Sequence, residues 1–205
     1  LALTLPLLLW RQALVASLAR DVPRLGSADD GVRGAAQARM ERLAPDAVPV
    51  LIASFAEAAD AWDPGKPPAG TVPGEATLTG PVMTSLHTLG GQAVIAALIG
   101  ALGDEDSNVR HSSALTLAWL GAEAMPALVE TLRHADDARR RVSAAWITSF
   151  LGPAGRDALP ALRAALADAD KDLRYTARYA IAEIESSDET RAKVIDATRT
   201  RDEGR

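Results

Sequence analysis

The sequence predicts an all-α fold, an α-solenoid of about five to six helical hairpins stacked in single file. Three observations predict it. First, a short pattern recurs: Asp29 to Arg33, Asp106 to Arg110, Asp137 to Arg141 and Asp170 to Arg174, each an acid four residues ahead of an arginine and each followed by an alanine-rich apolar stretch. The arginines lie 31 residues apart from 110 to 141 and 33 apart from 141 to 174, while the 77 residues from 33 to 110 fit two units plus an insertion. Second, apolar residues make up 48% of the chain but aromatics only 4%, so alanine and leucine must fill the interior. Such residues suit closely packed helices better than a sheet, which favours β-branched and aromatic side chains. Third, each well-formed unit runs from a periodic segment through a glycine to a second segment with a proline near its start.

The elements follow in order. Leu1 to Trp10 is apolar, interrupted by Pro6 and followed by Arg11. It is too short to span a bilayer and reads as the buried first helix of the array rather than a targeting segment. The next unit starts at Asp29 and continues through Ala47-Val48-Pro49-Val50-Leu51 with Phe55. Residues 60–74 carry four prolines and three glycines, which forbid regular structure and mark an inserted loop. Counting back one repeat places the weakest copy at Glu75, Thr79 and Gly90, with Thr79 in the arginine position and Gly80-Pro81 weakening its helix.

The best copies come next. Asp106 can cap the run Ala114-Leu115-x-Leu117-x-x-Leu120, Gly121 closes it, and Pro126 falls in the first turn of the second helix. Trp146, Ile147, Phe150 and Leu151 then form a first helix ended by Gly152, and Ala158-Leu159-Pro160-Ala161-Leu162 opens its partner. The last unit runs from Asp170 through Tyr179 and Ile184. Ser186 to Glu189 reads as a capping box for a polar C-terminal capping helix over about 188–199. The whole of 1–205 is expected to form one repeat domain.

Composition excludes several functions. The formal charge of −5 argues against general nucleic-acid binding, which needs lysines and arginines to neutralise phosphates. With no cysteine, disulfides, thiolate metal sites and cysteine nucleophiles are ruled out, and a cytoplasmic location is expected. There is no Gly-x-Ser-x-Gly elbow, phosphate-binding glycine loop or His-Glu-x-x-His. The alanine, arginine and aspartate bias points to a high-GC bacterial gene.

The repeating order Asp-x-x-(Val/Leu)-Arg, alanine-rich helix, Gly, Ala-Leu-Pro-x-Leu resembles the HEAT-like repeat of the phycobilisome-lyase type over about residues 15–185. That resemblance implies a HEAT/armadillo-like superhelix with the second helices along its concave side, in a broad family of scaffolds with a minority of enzymes. It implies two further activities. One is a bilin-lyase-like subunit that handles a chromophore, for which no residue here matches a catalytic role. The other is a DNA-alkylation glycosylase, which needs a basic groove with aromatics. The basic cluster Arg133, His134, Arg139, Arg140 and Arg141 is interleaved with Asp136 and Asp137 and neighboured by acids, so it reads as a solvated helix start with one internal arginine. The repeat-type enzyme deoxyhypusine hydroxylase holds two irons with His-Glu pairs. Here His87, His111 and His134 are followed by Thr, Ser and Ala, which excludes that chemistry and makes them surface histidines.

The expected function is therefore a non-catalytic scaffold or adaptor that binds a protein or peptide through its concave surface, with no cofactor, no metal and no membrane. Its contact residues would be Ser54, Glu57, Gln92, Glu123, Glu130, Asp157 and Arg163 on the second helices, a small and acidic mixture suited to a basic or polar partner. Trp62, among acids and prolines in the inserted loop, is a candidate contact anchor. Trp119 and Trp146 are expected in the core between repeats. The ladder of Asp29, Arg33, Asp106, Arg110, Asp137, Arg141, Asp170 and Arg174 is structural, with each arginine expected to pair with aspartates of its own and adjacent turns.

Overall fold

The computed structural model of the chain describes residues 4–57 and 79–185. All regular structure among them is helical. The α-helices are α1 (Thr4–Ala19), α2 (Asp30–Arg42), α3 (Ala44–Ala53), α4 (Thr79–Leu89), α5 (Gly91–Ala101), α6 (Ser107–Leu120), α7 (Met125–His134), α8 (Ala138–Phe150) and α9 (Leu159–Ala165). A further helix, α10, covers residues 171–185. Short 3-10 turns occupy Val22–Gly26, Ser54–Glu57, Gly121–Glu123 and Gly152–Ala158. The inserted loop with Trp62, the acid at Glu75 and the C-terminal helix over 188–199 lie outside the described residues.

The chain divides into two compact units, Leu1–Thr116 and Leu117–Arg205. In the first, α2 packs on α3, and α3 packs on α1, α4 and α5. In the second, α7 packs on α8, on α9 and on the 152–158 turn. Second helices thus lie beside second helices, α3 against α5 and α7 against α9, which is the stacking that a hairpin repeat requires.

Local chemistry sets the ends of these helices. The Asp29 carboxylate accepts from the N–H groups of Gly31 (2.8 Å) and Val32 (3.0 Å). Asp106 accepts from Asn108 (2.7 Å), Asp137 from Arg139 (2.9 Å), and Asp170 from Asp172 (2.8 Å) and Leu173 (3.0 Å). Each acid satisfies N–H groups that the first turn leaves without a carbonyl. Gly121 and Gly152 follow their helices with φ of +61° and +50°, a conformation open to glycine without a Cβ penalty. Pro126 and Pro160 sit in the first turns of α7 and α9, where no N–H is required. Pro49 differs: α3 begins earlier than its counterparts, so this proline lies inside the helix. Gly80-Pro81 does not prevent α4 from forming, because Pro81 falls in its first turn.

The core departs from the apolar pattern in an informative way. Leu117, Leu120, Leu128, Ile147 and Leu162 are buried as aliphatic positions should be, but so are Ser112, Ser113, Thr116, Thr148 and Ser149. Three of their hydroxyls bond back to their own helices, whereas Ser113 Oγ is buried without a hydrogen-bond partner among the described residues. Thr116 donates to Ser112 O (2.7 Å), Thr148 to Ala145 O (2.7 Å) and Ser149 to Trp146 O (2.7 Å). A hydroxyl bonded this way can be buried, and its small volume lets helices approach closely. Trp119 and Phe150 are correspondingly displaced from the interior, because the buried face of α6 runs through 109, 112, 113, 116, 117 and 120 and passes Trp119 by. Trp146 is half-buried. Of the opening apolar segment, residues 1–3 lie outside the described residues, while Leu9 and Trp10 are exposed; further along α1, Val15 is exposed and Leu18 is enclosed.

The arginine ladder works differently from the ion-pair rivets expected of it. Arg110 Nη1 donates to the main-chain carbonyls of Asp104 (2.8 Å) and Glu105 (2.8 Å), and Arg174 Nη1 to those of Asp168 (2.7 Å) and Ala169 (2.8 Å). Arg33 donates to Ser27 O (2.7 Å) and pairs with Asp30. These arginines clamp the turn that enters their own helix. Arg141 instead reaches the turn that enters α10 and pairs with Asp168. The residue six before each arginine accounts for part of the turn: Asp104 and Asp168 accept the N–H of Asp106 and Asp170 (2.9 Å each), and Ser27 accepts that of Asp29 (3.2 Å). In the third copy this residue is Ala135, which has no acceptor. A second polar junction holds the first unit together. Buried Asp21 accepts from Arg24 (2.6 Å) and pairs with Arg39, whose Nη2 donates to Ser17 Oγ (2.6 Å).

Two outcomes follow. Ala135→Ser supplies the missing acceptor and raises stability by about 0.5 kcal/mol, read as an increase in Tm. Asp168 is held below the usual carboxylate range, first by the N–H of Asp170 and then by Arg141, with burial opposing. A lowered folded-state pKa gives stability that is full above the unfolded value of about 3.9 and lost as pH falls through the lower folded value. Acid melts should therefore show Asp168→Asn losing less stability than wild type below about pH 4, from a lower starting point at neutral pH.

Candidate partner-binding surface

The second helices expose a surface of small side chains. On α3 the exposed residues include Pro49 and Ala53, on α5 Ala96 and Gly100, on α7 Pro126 and Glu130, and on α9 Pro160 and Ala164. Pro49, Pro126 and Pro160 each stand two residues before a buried leucine, Leu51, Leu128 and Leu162, so they share one repeat position. The proline was legible as a helix start, but its exposure needs the three-dimensional stack.

In the first unit this surface is indented. Pro49, Ile52 and Ala53 of α3 face Ala97, Gly100 and Ala101 of α5 across a groove of about 310 Å³, with Asp104 and Val109 at its end. Val48, Leu51, Ile95 and Leu98 are buried in these two packed helices, while the small Ala53, Ala97, Gly100 and Ala101 leave the space of the groove. A Cβ on Gly100 would meet nothing within 4 Å, so the space over this helix is open. Asp104 is the ionisable residue of the lining, and its carboxylate already accepts the N–H of Asp106. The groove can receive an apolar side chain with a polar group directed to the Asp104 end.

The predicted contact residues are distributed unevenly around this surface. Gln92 is exposed in the first turn of α5, and Glu130 is exposed on α7. Glu123 and Asp157 are exposed but lie on the 3-10 turns ahead of α7 and α9, not on the second helices themselves. Arg163 is exposed on α9 and engaged with Glu185 at 2.9 Å. Ser54 is half-buried and donates to Leu51 O (2.7 Å), while Glu57 ends the turn that follows α3. Glu123, Glu130, Asp157 and Arg163 fall within the second unit, and Ser54, Glu57 and Gln92 within the first. The lining residues Ala53, Ala97 and Gly100 escaped sequence reasoning because small side chains carry no chemical signal.

Histidines offer no common site. His87 and His134 are exposed on separate units, whereas His111 is half-buried on α6, where burial holds its pKa below the ordinary histidine value. It is therefore not the surface residue expected. Among the described residues no group of three or more His, Asp or Glu side chains converges as a metal site requires. No single described helix is long and apolar enough to cross a membrane.

Comparison with known proteins completes the description. Residues 82–149 match the family model of HEAT repeats. No curated protein matches the chain significantly. Among solved structures, the chain is similar to the complex of CpcE and CpcF of phycocyanin lyase from Nostoc sp. PCC7120, with 21% identity, a TM-score of 0.35, and coverage of 86% of this chain and 69% of that one. It is also similar to human deoxyhypusine hydroxylase in complex with glycerol, with 20% identity, a TM-score of 0.40, and coverage of 86% and 66%. Both scores are low, and neither likeness carries an inference about activity. Residues 82–149 are thus a segment of HEAT repeats, in a chain whose regular structure among the described residues is entirely helical.

Proposed function

We propose that this chain is a non-catalytic HEAT-repeat scaffold that binds a protein or peptide along its second helices. The observation that supports this reading is the groove between α3 and α5, lined mostly by small residues, with Ile52, Val109 and Asp104 completing it. Such a lining places the helix backbones close to whatever binds and freezes almost no side-chain rotamers on binding. A peptide that inserts one or two apolar side chains there buries area at low entropic cost. The acids Glu123, Glu130 and Asp157 of the second unit add a preference for a partner with basic or polar character.

Gly100 provides a test that separates binding from folding. Replacing it with leucine fills the groove, yet the added Cβ meets open space and leucine has the better helix propensity. Gly100→Leu is expected to keep or raise Tm while lowering affinity for the native partner, recovered on immobilised wild-type protein, by roughly tenfold, about 1.4 kcal/mol. Unchanged affinity in titration calorimetry would remove the groove from the account.

A further inference from the structure

The groove of the first unit is apolar along its sides and negative at one end. Among its lining residues Asp104 is the one that carries a charge, and none is a cation. The described residues of 43–56 and 79–109, which include α3, α4 and α5, contain no lysine or arginine, in a chain that has 22 of them. Their acids are Asp46, paired with Arg11 near the start of α3, and Asp104, Glu105 and Asp106 in the turn after α5. Asp104 and Glu105 are exposed. Arg110 reaches this turn with Nη1 on the carbonyls of Asp104 and Glu105. One arginine against Asp104, Glu105 and Asp106 leaves the turn with a net negative charge.

The backbone adds to that sign. Ile52 and Ala53 lie at the C-terminal end of α3, and Gly100 and Ala101 at that of α5. A helix carries partial negative charge at this end, on carbonyls that lack intrahelical donors. In α5 the Gly100 and Ala101 carbonyls take the N–H groups of Gly103 (3.2 Å) and Asp104 (3.1 Å), and each oxygen keeps a second lone pair. The opposite helix end at the groove is the start of α6, near Val109. Its partial positive charge is offset by the Asp106 carboxylate, which accepts the N–H of Asn108 (2.7 Å).

We propose that the groove takes one basic side chain of the partner, a lysine or arginine. Its aliphatic stem lies against Ile52, Ala53, Ala97 and Gly100, and its cationic head stands at Asp104 and the end of α5. The proposal rests on the groove being the partner site and adds what fills it. Lysine and arginine are the side chains with this layout, since they bury an apolar stem while the charged head stays in water. A neutral aliphatic side chain would fill the space without using the field at its end. An acidic one would meet Asp104 as a like charge.

The probes are n-butylguanidinium and n-butylammonium, with n-butanol, butyrate and stemless methylguanidinium as counterparts. Each is titrated into the isotope-labelled full chain and followed by amide chemical shifts. The two butyl cations are expected to move the signals of Ala97, Gly100, Ala101 and Asp104 to saturation, and to bind roughly threefold or more tighter than each counterpart. Asp104→Asn retains an oxygen for the Asp106 N–H, so the turn is kept while the charge is lost. It should weaken both cations roughly threefold and leave n-butanol unchanged. Gly100→Leu should abolish the shifts. Cation shifts that bypass the groove, n-butanol or methylguanidinium binding as well as the butyl cations, or Asp104→Asn binding them as wild type does would each overturn the proposal. Native-partner affinity that Gly100→Leu lowers and Asp104→Asn leaves intact overturns the basic occupant while the groove stands. Affinity that neither variant changes removes the groove itself.

Discussion

Everything in this repeat rests on how the chain turns into each first helix. A hairpin repeat buries its apolar face only against its neighbours, so the angle at which one unit enters the next must be fixed locally. The entering turn leaves main-chain carbonyls that no helix satisfies, and a donor that bonds two of them fixes the course of the turn. Arg110 and Arg174 supply such a donor, each spanning two successive carbonyls with one guanidinium nitrogen. The position is otherwise unfavourable for a cation, because the start of a helix carries partial positive charge. The arginine is there for the turn, and the aspartate four residues earlier offsets the dipole while capping the free N–H groups.

The third copy shows the same constraint met by other means. Ala135 cannot accept the N–H that Asp104 and Asp168 accept in their turns, and Arg141 reaches forward to Asp168. Asp168 then serves two helix starts: one carboxylate oxygen takes the Asp170 N–H, the other takes Arg141, and its carbonyl takes Arg174. One side chain thereby couples the start of α8 to the start of α10.

How much of this was legible in the sequence depends on the kind of signal. Helix starts, glycine ends and proline placement were readable at residues 106–166 because caps and breakers act locally, through bonds within a few residues. The hairpin order followed from period alone. Burial was less readable. Ser112, Ser113 and Thr116 look polar and are buried, while Trp119 and Phe150 look apolar and are exposed, because close helix packing selects volume before hydrophobicity. The partners of the arginines were also beyond reach, since Asp-to-Arg spacing suggests charge pairing and says nothing of carbonyl direction. The groove lining was the least visible, as Ala53, Ala97 and Gly100 act by what they lack.

Salt separates the two ways an arginine can hold this architecture. Hydrogen bonds to main-chain carbonyls persist at about 1 M salt, whereas exposed ion pairs are largely screened there. The direct measurement is the Tm difference between wild type and Arg110→Ala, and between wild type and Arg174→Ala, from low salt to about 1 M. The account predicts that both differences stay nearly constant, while the one for Arg163→Ala, which removes the exposed pair with Glu185, shrinks. Differences for Arg110 and Arg174 that collapse with salt would contradict it.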